Sequence, residues 1–387
     1  MQIKEIRAFE ITLEPPQTTQ PRPPSKRQPH SYGLGRPLDR YEQFKARDVG
    51  AQWHRVACLA IAQDGTWGLG ITIHSAPVVP IINDQFAPLL AGQNPMATEK
   101  LWDLMARSTA PYGGTGLASY AISAVDTALW DLKGKLLQRP VYELLGGPQK
   151  ERIFCYASGF DTEWYLELGF QATKLFTPWG PQDGPVGLNQ LEDLVATTRQ
   201  LMGPDRELML DGWLSWDVEH LVQLAERLKP YRLKWLEDYL PHDDLEGYAA
   251  VRQRLPFQTL ASGEHWYMPA TFHSVIQRRL VDILQPDVLW AGGITAAVKI
   301  CHLAEAAGLN VITHAGMNYP YGQHLAFAMP AIVWGERSES VSPPGVPLEE
   351  MTLLPGTPAI KDGYLVPSDA PGFGLEITLD WLQERAL

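Results

Sequence analysis

Apolar and charged side chains alternate through MQIKEIRAFEITLE, the period-two pattern of a strand with one buried face. The same period returns over residues 54 to 75, in HRVACLAIAQDGTWGLGITIH, where Asp64-Gly65 supplies a hairpin turn, so a small antiparallel sheet is predicted. From about 78 to 148 the spacing becomes helical, and Ile122, Val125, Ala128, Leu129 and Leu132 line one face of ASYAISAVDTALWDLKGKLL. After Glu151, strand-like runs alternate with helix-like ones. IFCYAS, ATKLFT, ELMLDGW, LKWLED, QTLASGE, DILQPDV, NVITHAG and AIVWGE make eight strands. Between them DVEHLVQLAERLK places Val218, Leu221, Ala225 and Leu228 on one face, and TAAVKICHLAEAAGLN ends at Gly308 as its C-cap. Eight alternations predict a (β/α)8-type TIM barrel over an open doubly wound sheet, and no GxGxxG or GxxxxGK[ST] phosphate loop supports the open alternative. The predicted organisation is residues 1–150, with a tail of about 368–387 (PGFGLEITLDW) returning to them, and a barrel over 151–367.

Residues 15 to 48 break the pattern. They are rich in Pro, Arg and Gln and poor in apolar periodicity, which reads either as an unstructured loop or as a lid. At 387 residues the chain exceeds what one core usually serves, and 45% hydrophobic residues with 13 Trp belong to a globular protein. No run of 18 apolar residues exists to cross a membrane, and the alternating start is not the apolar centre of a signal peptide. Cys58, Cys155 and Cys301 lie far apart without a CxxC pattern, so reduced thiols and a cytoplasmic location are expected. A formal charge of -12 with no basic stripe argues against nucleic acid and anionic lipid, leaving small molecules as partners.

Three acids sit at the ends of consecutive predicted strands: Asp211 in LMLDGW, Glu237 in LKWLED and Glu264 in TLASGEHW. Their stride is nearly constant and matches one strand, one helix and two loops, so on a barrel the carboxylates converge at one face. Singly, each would be an ordinary capping or surface acid. Together they offer hard oxygen ligands with room for water and substrate, which suits Mg²⁺ better than zinc. Asp238 should point away if strand alternation persists past Glu237. On the next two strands Asp287 (ILQPDV) and His314 (NVITHAG) form a candidate dyad, in which the carboxylate fixes the tautomer and raises the basicity of a general base. Away from this ladder His314 would read as a satisfied core histidine. His265 either reaches the site or supports it from behind. Lys174, in ATKLFTPWGP, is a base opposite His314, a cation against substrate or metal ligands, or a structural lysine. Glu336 either hydrogen-bonds a substrate carboxylate or lies at the surface.

The segments SAVDTALWDLKGKLLQRPVYELLGG and PGFGLE, with KLFTPWGPQDG, LMLDGW, LKWLED, SGEHW and QPDVLWAGG, make the chain resemble the enolase superfamily in its mandelate racemase branch, nearly end to end. The resemblance implies an α+β capping domain over a modified (β/α)8-type barrel and one Mg²⁺ held by Asp211, Glu237 and Glu264. It further implies a His314–Asp287 base dyad and an acid-sugar substrate. Trp213 stands where many members have Asn, and the second-strand K-x-K of two-base members is missing around Lys174, which favours dehydration over racemisation or cycloisomerisation. His30 and Arg47 resemble residues of the cap that clamp a sugar acid, and a homo-oligomer is expected.

Overall fold

The computed structural model describes residues 1–14, 34–45, 53–338 and 341–387. Strand β1 (Ile3–Ile11) pairs antiparallel with β2 (Arg55–Ala62), which pairs with β3 (Trp67–Thr72) across the Asp64-Gly65 turn. The helix Leu117–Leu137 lies directly on β3. It approaches this closely because β3 carries Gly68 and Gly70, where a Cβ would run into the helix backbone at Ala128 and Ala124. The predicted apolar face, including Ile122, Val125, Leu129 and Leu132, joins Ile3, Ile6, Val56 and Phe86 in one core.

A second face of this helix is buried as well. There Ser119, Ser123 and Asp126, at helical spacing, bond the segment Trp290–Thr295 of the barrel. Amphipathicity alone foretold one buried face; the second is buried because each of its polar groups finds a partner.

The barrel strands are β4 (Ile153–Ser158), β5 (Ala172–Phe176), β6 (Glu207–Asp211), β7 (Leu236–Glu237), β8 (Leu260–Ser262), β9 (Ile283–Leu284), β10 (Asn310–Val311) and β11 (Gly335–Arg337). From β4 to β10 each pairs in parallel with its sequence neighbours, and β11 pairs in parallel with β4. A bridge between Val311 and Ile332 completes the ring. Helices follow β4 to β10, but a 3₁₀ turn, Leu348–Met351, follows β11, and a short β12 (Tyr364–Leu365) pairs antiparallel with β4. These departures make it a modified barrel. Tyr156, Met209, Trp235, Ala261, Ile283 and Ile312 fill its interior, so the barrel is packed rather than hollow.

Local chemistry sets the helix ends. Asp217 and Asp244 cap the helices Val218–Leu228 and Leu245–Arg254 by accepting from the amides of His220 and Gly247. Gly308, at φ 69°, stands one residue past the C-cap of Gly293–Ala306, and Leu309 N–H closes the turn on Ala304 C=O. The tail runs back to the N-terminal layer. Phe373 N–H donates to Asp131 Oδ1 at 2.9 Å, Leu69 N–H donates to its Oδ2 at 2.9 Å, and Ala386 bridges to Ile11. No described helix is long and apolar enough to cross a membrane.

Candidate active site

Only two or three residues of each later strand pair in the ladder, shorter than the six- or seven-residue runs of the sequence pattern. The remainder of each run continues as rim and carries the charged groups. Asp211 and Glu237 end β6 and β7, and Glu264 follows β8. One ligand oxygen from each lies within 4.8 Å of the others, and all three residues are buried. Burial pushes their carboxyls up to about 7, against the pull of nearby cations. Buried oxygen donors converging in this way fit a hard divalent cation.

Neighbouring groups orient each carboxylate. Trp213 donates its backbone N–H to Asp211 Oδ1 at 2.9 Å and its indole N–H to Glu264 Oε1 at 3.2 Å. To do so Trp213 and Leu214 adopt φ of 39° and 61°, a left-handed turn costly for non-glycine residues. Trp235, two residues before Glu237 and therefore on the same side of β7, donates to Glu237 Oε2 at 2.7 Å.

Lys174, on β5, sits inside this acidic group. Its ammonium lies 3.1 Å from Asp211 Oδ2 and 2.7 Å from Glu336 Oε1 and also pairs with Glu237. Burial disfavours the charge, but Glu237, Glu336 and Asp211 outweigh it and hold the amine well above the usual lysine range. Of the readings open to Lys174, the geometry is that of a cation against ligand carboxylates. Glu336 is fully buried in β11, which excludes a surface role. It accepts from Ser158 Oγ at 2.5 Å and from Ala315 N–H at 2.8 Å. Burial opposes its charge as well, yet Lys174 and His314 hold its carboxyl down at about 2.

His314 Nδ1 lies 2.8 Å from Asp287 Oδ2, and its Nε2 lies 3.4 Å from Glu264 Oε2. Burial lowers the affinity of His314 for a proton, but Glu264 and Asp287 raise it further and hold the imidazole well above its ordinary value. Leu289 N–H anchors the other Asp287 oxygen at 2.6 Å. His265 comes to the site with Nε2 3.4 Å from Glu264 Oε1, and burial lowers its pKa. Asp238 departs from its expected outward direction. The ladder stops at Glu237, and Asp238 takes φ 43°, so its side chain is buried, accepts from Ser262 Oγ at 2.8 Å and adjoins Glu264 and His265. His30 and Arg47 lie outside the described residues.

Sequence reasoning passed over Trp290. It stacks on His265 at 5.7 Å and 7°, lies 4.8 Å from the His314 ring and 5.8 Å from Tyr120 of the N-terminal helix. Beside the dyad opens a cavity of about 160 Å³, lined on the barrel side by Asp287, Trp290, His314 and Tyr319 and on the sheet side by Arg55 and Ile73.

Comparison with known proteins agrees with this geometry. Residues 161–381 match the family described as enolase C-terminal domain-like. Residues 46–146 match the N-terminal domain of the mandelate racemase / muconate lactonizing enzyme family. L-rhamnonate dehydratase of Saccharopolyspora erythraea is 36% identical over 349 residues, covering 88% of this chain and 88% of that protein. The crystal structure of rhamnonate dehydratase from Gibberella zeae complexed with Mg superposes with a TM-score of 0.87 at 29% identity, over 100% of this chain and 96% of that one. The 3,6-anhydro-D-galactonate cycloisomerase from Zobellia galactanivorans superposes with a TM-score of 0.78 at 25% identity, over 100% of both chains.

Proposed function

The chain belongs to the mandelate racemase branch of the enolase superfamily, and from that premise we propose that it is a magnesium-dependent acid-sugar dehydratase acting on L-rhamnonate or a close stereochemical relative. Asp211, Glu237 and Glu264 would hold the ion, which when bound neutralises the negative charge that develops on the substrate carboxylate.

The observation that carries the reading is the His314–Asp287 pair beside the three carboxylates. Glu264 and Asp287 raise the affinity of His314 for a proton. Once Glu264 serves as a ligand its hold on Nε2 weakens, and the imidazole can accept the proton α to the substrate carboxylate. Asp287, fixed by Leu289 N–H, keeps the tautomer that exposes Nε2 and steadies the imidazolium. The imidazolium returns a proton to the β-hydroxyl as the C–O bond breaks, water departs, and the remaining enol tautomerises to a 2-keto-3-deoxy acid. Lys174, engaged by three carboxylates, offers no free second base, which supports elimination over inversion or ring closure.

A screen of aldonic acids for 2-keto-3-deoxy product, with and without Mg²⁺, tests the reading. Magnesium-dependent release of product is expected, and inversion or cyclisation without loss of water would overturn it. His314→Asn should lower turnover by about 10²- to 10⁴-fold with metal binding intact. Near-normal turnover in that variant removes His314 as the base.

A further inference from the structure

We propose that Arg55 is a specificity-determining residue that binds the end of the substrate chain remote from its carboxylate; the proposal rests on the dehydratase reading above. Arg55 begins β2, far in sequence from every group in the metal and dyad ladder. The fold nevertheless brings it into the cavity that the dyad lines. Its guanidinium lies 5.7 Å from the centre of the Tyr319 ring, a contact that holds the charge without neutralising it. Among the described residues no carboxylate pairs with it, although Asp287 lines the same cavity.

A half-buried cation without an anionic partner, facing a small cavity, is suited to a ligand that brings oxygen atoms. The position of the reacting carbons then orients the substrate. Its carboxylate belongs with Asp211, Glu237 and Glu264, and its α-carbon belongs beside His314 Nε2, which faces Glu264. The rest of the chain extends past His314 into the cavity, towards Arg55. Ile73 and Trp290 wall the same space, so the middle of the substrate lies against apolar surface and the guanidinium donates to its far hydroxyls. The ligand class this fits is a polyhydroxy acid long enough to span from the metal ligands to β2.

The test compares wild-type protein with Arg55→Met, which keeps the apolar stem, and Arg55→Lys, which restores a donor. Turnover of the best six-carbon aldonic acid is measured alongside competitive inhibition by glycerate, which shares the carboxylate end but is too short to reach β2. Arg55→Met should lower kcat/KM for the long acid about 10- to 100-fold, the effect of losing hydrogen bonds from a charged group. Glycerate inhibition should be unchanged, and Arg55→Lys should recover part of the loss. Equal losses for the long and short acids would assign Arg55 a structural role and overturn the proposal. So would unchanged kcat/KM in both variants. A wild-type protein that dehydrates no aldonic acid fails at the earlier step and refutes the dehydratase reading, and this one with it.

Discussion

Lys174 shows how one side chain can make a crowded acidic site tolerable. Asp211, Glu237 and Glu336 each contact its ammonium, and none of these four residues is open to solvent. Lys174→Met should therefore destabilise the metal-free protein by about 3–5 kcal/mol, the usual cost of leaving buried charges unpartnered. Added Mg²⁺ should recover more stability in this variant than in wild type, because binding to the folded state restores the missing charge. Thermal melts with and without the ion check both statements, and coincident melting of the two metal-free proteins would show that Lys174 is not the neutralising group. At this scale the sequence revealed much. The acids and the dyad recur at intervals of 23 to 27 residues because each stands at or just past the end of an equivalent strand. Trp235 could have been found two residues before Glu237 by period two. Asp238 could not, since its direction depends on a left-handed φ that ends the alternation. Arg55 and Trp290 also carried no signal, because each acquires its role only where distant segments meet.

Strand β3 and the helix above it pack backbone against backbone. The sequence pattern identified both and gave the helix its apolar face, but it did not show how near they come. Gly68 and Gly70 allow the helix backbone to rest on the strand. Gly70→Ala should cost about 3 kcal/mol or more, at or above the upper end of ordinary overpacking, because the obstructing atoms include backbone that cannot rotate away. Denaturant unfolding measures it, and a loss below about 1 kcal/mol would mean that the helix can lift off β3 freely. Barrel strands were legible in number and order, while their paired length was not. The run QTLASGE reads as one strand, yet only Leu260–Ser262 stays in register before the chain turns out to present Glu264.

Across the whole molecule, the N-terminal layer, the barrel and the tail converge on His324. Its Nδ1 accepts Tyr142 N–H at 3.3 Å, and its ring lies 5.6 Å from Tyr142 and 5.3 Å from Phe373. Burial pushes this imidazole from 6.5 down to about 3. Between those values the unfolded chain carries a proton that the folded one refuses, so stability rises with pH there and is lost as pH falls from 6.5 towards 3. The slope contributed is about 1.4 kcal/mol per pH unit. His324→Gln keeps an acceptor but cannot titrate, and its stability should fall less steeply than wild type over this window. Parallel curves from denaturant melts across the window would remove His324 as the acid-sensitive group.

The polar stripe of Ser119, Ser123 and Asp126 bears on how such proteins could be recombined. These residues fasten Trp290, Gly292 and Thr295, immediately after Asp287. A chimera that joins another relative's first 150 or so residues to this barrel would exchange the fasteners while keeping the segment they fasten. Transplants that match this stripe should keep Asp287 and His314 in place; those that match only the apolar face should fold and leave them misplaced.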